Sequence, residues 1–200
     1  KAMDCMLPMG ITSENESKKY SINREEQDRF ALSSNLKALN AINKGYFKNE
    51  IVTIDDVNCD QGPRESTFEK LSSLKPSFDP SGCSTAGNSS QISDGASIVL
   101  MMKRSQAKKL NLNILGTFVD FVSVGVGPDV MGVGPAVAIP KLLKKNNLNI
   151  NDIDQFEINE AFASQCLYCQ KELNININKL NTLGGAIALG HPLGCTGSRM

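Results

Sequence analysis

Residues 183–200, LGGAIALGHPLGCTGSRM, limit what this chain can fold into more than any other stretch. Glycines stand at 184, 185, 190, 194 and 197. Glycine is used where the backbone takes positive φ or must come close to another group. His191 is the only histidine in the chain, and Pro192 follows it directly. Proline removes a backbone donor and presets φ. The pattern GHPLG therefore presents an imidazole on a preset turn, after the short apolar run 186–189. Histidine changes charge near neutral pH, so a positioned one suits proton transfer. A structural glycine turn with a capped histidine would use the same residues.

Composition removes several function classes. Formal net charge is zero, and the chain has no tryptophan and 6% aromatic residues. No basic field or stacking platform for nucleic acid is present. No apolar run approaches the roughly 20 residues that a membrane-spanning helix needs. Cys166 and Cys169 form a CxxC, but no second CxxC or histidine pair completes a zinc set, so no metal site is expected. Their spacing on a helix reads as packed free thiols, in a reducing compartment.

Hydrophobic periodicity and cap residues set the expected elements. Ser13 to Glu16, S-E-N-E, reads as the capped start of a helix. A second helix begins in SINREEQD, buries Phe30, Ala31, Ser34, Ala38 and Ala41 on one face, and stops at Gly45. Residues 51–54, 115–126 and 154–158 read as strands, and residues 95–102 as a buried strand or helix. Residues 55–67 read as loop, and residues 68–74 and 105–110 as short helices. Residues 84–94 are polar enough for a solvated linker. Helices are expected over 135–146, with proline in its first turn, and over 161–173. The alternation from residue 115 onward is an α/β pattern.

Four segments carry a family resemblance. They are MGITSEN at 9–15, STAGNSSQISDGA at 84–96, FEINEAFASQ at 156–165, and GGAIALGHPLGCTG at 184–197. In this order they resemble the thiolase family, most closely its peroxisomal branch that cleaves 3-ketoacyl-CoA. The resemblance implies a layered αβαβα fold, present in part. Residues 1–92 would be loop domain, 93–112 the closing segment of the amino-terminal core, and 113–200 part of the carboxyl-terminal core. Residues 55–67 are shorter than the family's excursion there by about a dozen positions, which puts the loop domain's local fold in question.

Site roles follow from the resemblance alone. His191 would activate a cysteine nucleophile and donate to a thioester oxygen. Asn159 would hold the water that completes an oxyanion site. Ser90 would meet the pantetheine of CoA, Ala161 and Phe162 would line its tunnel, and Arg64 would lie near the adenine end. Met9 and Met131 would line the acyl pocket, although core packing explains both equally well. CoA is implied as co-substrate, with no covalently bound cofactor, and a homodimer or tetramer when complete. The implied location is the peroxisome, with mitochondrion or cytoplasm as alternatives. The terminal Ser-Arg-Met is expected to run on into a helix rather than serve as an address. The family's nucleophilic and acid/base cysteines stand in settings that do not occur here, so the 200 residues are expected to be inactive alone. A non-enzymatic remnant that binds CoA or a partner, and a biosynthetic acetoacetyl-CoA thiolase, are the competing readings.

Overall fold

The computed structural model describes residues 2–200 and is built mainly of helices. They are α1 (Met9–Lys19), α2 (Arg24–Asn43), α3 (Phe68–Ser72), α4 (Arg104–Lys109), α5 (Gly134–Lys145), α6 (Ala163–Glu172), α7 (Ala186–Leu189) and α8 (Leu193–Arg199). Short 3₁₀ segments cover Met3–Met6, Pro128–Val133, Ile150–Asp152 and Ile177–Lys179, the second of them kinked at Val130.

The longest helix, α2, begins at a reciprocal cap. The Asn23 side chain accepts from Glu26 N–H, and the Glu26 carboxylate accepts from Asn23 N–H. Two orphan donors of the first turn are thereby satisfied. At the other end Gly45 takes φ +70°, the left-handed stop expected of it. The expected face of α2 is buried: Ala31, Ala38 and Ala41 are fully covered, with Phe30 and Ser34 beside them. Helix α2 packs on α3, α6 and α7, while α1 packs on α6 and the 128–133 turn. The apolar core between them holds Ile22, Phe30, Leu71, Phe156, Ile158, Leu167, Ile175, Leu180 and Ile187. Cys166 and Cys169 are free thiols inside this core. Helix α5 has proline in its first turn and Lys144 and Lys145 in its last, as its sequence indicates.

Several local expectations change. Helix α1 opens at Met9 behind Pro8, not at Ser13. Proline lacks the N–H that a helix start leaves unpaired and presets φ. Ser13 is instead buried mid-helix, where its hydroxyl bonds those of Ser84 and Ser164, each at 2.7 Å. The 84–94 stretch is no solvated linker along its first half, because Ser84, Thr85, Asn88 and Ser89 are buried. Asn88 donates to Asp28 at 2.9 Å and to the Cys83 carbonyl at 3.0 Å.

The expected strands do not form a ladder. Among the described residues only isolated bridges occur, at Ile54–Val57, Pro76–Thr85, Ser89–Phe162 and Phe156–Leu180. Residues 95–102 and 115–126 carry no regular element, and Ile98, Leu100, Leu115, Phe118 and Phe121 are exposed. A strand is held by backbone donors and acceptors of a neighbour, and these segments meet the rest of the chain through side chains instead, as in the Ser97 bond to the Cys195 carbonyl and the Lys145–Asp120 pair. Residues 51–54 turn back on themselves at Asp55, φ +52°. At 154–158 one parallel bridge forms, and the Asn181 side chain continues the pairing. Its Oδ1 accepts from Ile158 N–H and its Nδ2 donates to the Ile158 carbonyl, both at 2.8 Å. Among the described residues no helix is long and apolar enough to cross a membrane.

Candidate active site

The residues before α6 and before α8 meet at one place. His191 Nε2 lies 3.2 Å from Asn159 Nδ2, across 32 positions of sequence. On the other side of the ring, Nδ1 lies 2.7 Å from Thr196 Oγ1. Both His191 and Asn159 are half-buried. Asn159 Oδ1 is buried and has no hydrogen-bond partner. An unpaired buried carbonyl is costly, so it marks a place where a ligand or a water is wanted.

A buried carboxylate positions this pair. Glu160 accepts from Ser34 Oγ at 2.6 Å, from Asn181 Nδ2 at 2.8 Å and from Ile187 N–H at 3.3 Å. These bonds join α2, the 158–160 segment and α7 around one side chain that is only 1% exposed. Burial raises the Glu160 pKa, and the Ser34 and Asn181 hydrogen bonds act in the opposite sense. Gly184, φ +87°, lets the chain lie directly on α2 at Ala38 and Ser34. Gly190, φ +86°, turns it into His191 beside Ser93.

A second group of candidates comes together along the 88–91 segment. Ser90 N–H donates to the Ala161 carbonyl at 2.9 Å, and Ala163 N–H donates to the Asn88 carbonyl at 2.9 Å. Ser90, Ala161 and Phe162 are thus adjacent. Phe162 meets Phe78 edge to face, with centroids 5.8 Å apart, and the Phe78 ring covers Gly10 beside Met9. Met9 and Met131 are both about half exposed and so are not core. Arg64 reaches the site through Gln91. Its guanidinium lies 3.3 Å from Gln91 Oε1, whose amide donates to the carbonyls of Gly62, Ile187 and Ala188. No direct bond joins Arg64, Met9 or Met131 to the His191–Asn159 pair.

Gln91, Glu160, Asn181 and Thr196 escape a reading of the sequence. Gln91, Glu160 and Thr196 stand inside motifs, yet only the fold shows what they touch. Two concave clefts lie elsewhere, one lined by Pro140, Leu143 and Leu148, the other by Glu14, Lys18 and Cys83. Among the described residues no group of three or more His, Cys, Asp or Glu side chains could hold a metal ion.

The chain belongs to the thiolase family: the N-terminal domain of thiolase matches residues 1–105, and the C-terminal domain matches residues 112–200. It is 55% identical to the peroxisomal 3-ketoacyl-CoA thiolase B of Rattus norvegicus over all of this chain and 50% of that protein. It is 53% identical to the peroxisomal 3-ketoacyl-CoA thiolase of Homo sapiens, with the same coverage. Among solved structures, the dimeric peroxisomal thiolase of Saccharomyces cerevisiae superposes with a TM-score of 0.92 at 51% identity, over 99% of this chain and 52% of that one. Human mitochondrial 3-ketoacyl-CoA thiolase in complex with CoA gives 0.89 at 41% identity, over 96% and 50%. The fold is therefore a partial thiolase fold, and the chain spans about half the length of the relatives it matches.

Proposed function

We propose that these residues form the thioester-holding half of a 3-ketoacyl-CoA thiolase, which cleaves 3-ketoacyl-CoA with CoA to acetyl-CoA and a shortened acyl-CoA. The observation that carries the reading is the 3.2 Å contact between His191 Nε2 and Asn159 Nδ2, with a buried unpartnered Oδ1 alongside. In this reading Nε2 takes the proton of a cysteine thiol. The thiolate attacks the 3-keto carbon, a C–S bond forms and the Cα–Cβ bond breaks. The electron pair moves onto the thioester of the leaving acetyl-CoA. Its oxygen is held by Nε2–H together with a water on Asn159, and its carbon takes a proton from a second acid. The thiol of a second CoA then accepts the acyl group and frees the cysteine.

Ser90, Ala161 and Phe162 form the wall along which pantetheine lies, with Phe78 extending it towards Met9 and Met131 at the acyl end. Arg64 stands at the CoA end. By the resemblance, none of the six cysteines of residues 1–200 stands in the setting of the family's nucleophile. Cys166 and Cys169 are buried in the core, where desolvation pushes Cys169 up to about 12 and Cys166 well above its usual value, so neither yields a thiolate. The peroxisomal thiolases of rat, human and yeast among its relatives favour the peroxisome, and the dimeric yeast structure favours a homodimer or tetramer.

A chimaera tests the reading. Residues 1–200 replace the matching half of the Saccharomyces cerevisiae enzyme, and thiolysis of acetoacetyl-CoA and of longer 3-ketoacyl-CoA substrates is followed. The chimaera is expected to turn over, and His191→Ala is expected to lower kcat by roughly 10²-fold or more, the size of a lost base or oxyanion donor. A folded dimeric chimaera without thiolysis would refute the assignment. The acetyl-CoA acetyltransferase of Bacillus anthracis also superposes at 0.92, with 44% identity. This supports a second reading, C4 chemistry only, for which strict acetoacetyl-CoA specificity would be the outcome.

A further inference from the structure

We propose that Thr196 is a positioning residue that holds the proton of His191 on Nδ1 and so keeps the Nε2 lone pair free. Thr196 sits five residues after the histidine, in the first turns of α8. Its hydroxyl lies 2.7 Å from Nδ1 and donates to the Pro192 carbonyl at 3.1 Å. A hydroxyl has one proton. With that proton directed at Pro192, Oγ1 can only accept from the ring, so Nδ1 carries hydrogen.

The other end of the ring agrees independently. The neighbour of Nε2 is the Asn159 amide nitrogen, a donor, at 3.2 Å. A proton on Nε2 would set two donors face to face, while a lone pair there accepts. Hydrogen bonds at one ring nitrogen decide the state of the other in this way. The backbone adds to the restraint: His191 N–H points to the Gln91 carbonyl at 3.4 Å, and Pro192 has no N–H to compete for Oγ1. What the free lone pair is for, accepting a thiol proton, rests on the acyltransferase reading; where the proton sits does not.

His191 is the only histidine in the chain, so a ¹⁵N-histidine-labelled sample shows a single imidazole. Two-bond ¹H–¹⁵N correlations at alkaline pH, where imidazole is neutral, report which nitrogen bears the proton. The unsubstituted chain is expected to show Nδ1–H as the dominant tautomer. Thr196→Val keeps the side-chain shape and removes the hydroxyl, and is expected to shift the ratio towards Nε2–H by about five- to tenfold, the weight of one hydrogen bond. Thr196→Ser is expected to restore the original ratio. An Nε2–H tautomer in the unsubstituted chain, or an unchanged ratio in a folded Thr196→Val variant, would overturn the proposal. The unsubstituted and serine samples decide the matter should the valine variant not fold. None of these measurements uses acyl-CoA, so an inactive chimaera with an Nδ1–H imidazole would refute the thiolase reading alone.

Discussion

Replacing Glu16 by glutamine should make the chain more stable at alkaline pH and no less stable in acid. Glu16 lies on α1 and is 1% exposed. Its Oε1 accepts from Gly132 N–H at 2.8 Å, and Ser164 also bonds the carboxyl. Burial is the largest influence and pushes its pKa from 4.5 up to about 7, against the two hydrogen bonds. A folded-state value above the unfolded one means that the stabilising form is protonated. Its contribution is complete below about pH 4.5 and disappears as pH rises through about 7. That gap, at about 1.36 kcal/mol per pH unit, is on the order of 3 kcal/mol. Glutamine keeps an acceptor for Gly132 and brings an amide for Ser164, with no charge to bury. Glu157 and Glu160 are raised by burial too and persist in the variant, so the difference between the two proteins isolates Glu16. Urea unfolding followed by far-ultraviolet circular dichroism, from about pH 4.5 to about pH 8.5, supplies the midpoints. Glu16→Gln should match the parent at the acid end and exceed it by up to about 3 kcal/mol at the alkaline end. Parallel pH profiles, or a variant weaker at alkaline pH, would show that the carboxylate is not desolvated as described.

Gly184→Ala should destabilise the chain by about 2–4 kcal/mol, because the methyl would need φ +87° and would sit 2.7 Å from Ala38 Cβ on α2. Thermal unfolding measures it, and an unchanged midpoint would mean that α2 and the glycine loop do not touch. A thiol reagent applied to the native chain should modify exposed Cys5 and Cys59 first, half-buried Cys83 more slowly, and Cys166, Cys169 and Cys195 only on denaturation. Mass mapping of labelled peptides checks the order; early modification of Cys166 would contradict the closed core.

Local signals were legible wherever a few consecutive residues decide the outcome. The stop at Gly45, the proline start of α5 and the small-residue face of α2 all follow from helical spacing and from which backbone groups a helix end leaves unpaired. The histidine and asparagine could likewise be picked out by residue type and neighbours. Their approach to 3.2 Å could not, since it depends on Glu160 tying Ser34 of α2, 126 positions before it, to Asn181 and Ile187. Strand pairing failed as a local inference for the same reason. Residues 95–102 and 115–126 have the composition of buried strands, but a ladder needs a neighbour that composition does not specify. The chain's own sequence thus determined where α2 and α5 lie and which side chains could do chemistry, whereas α1 starts behind Pro8 and not at the S-E-N-E pattern. Only the tertiary structure decided which buried polar groups meet, because a hydrogen bond between residues 5, 32 or 126 positions apart is set by how the chain folds back, not by what adjoins it.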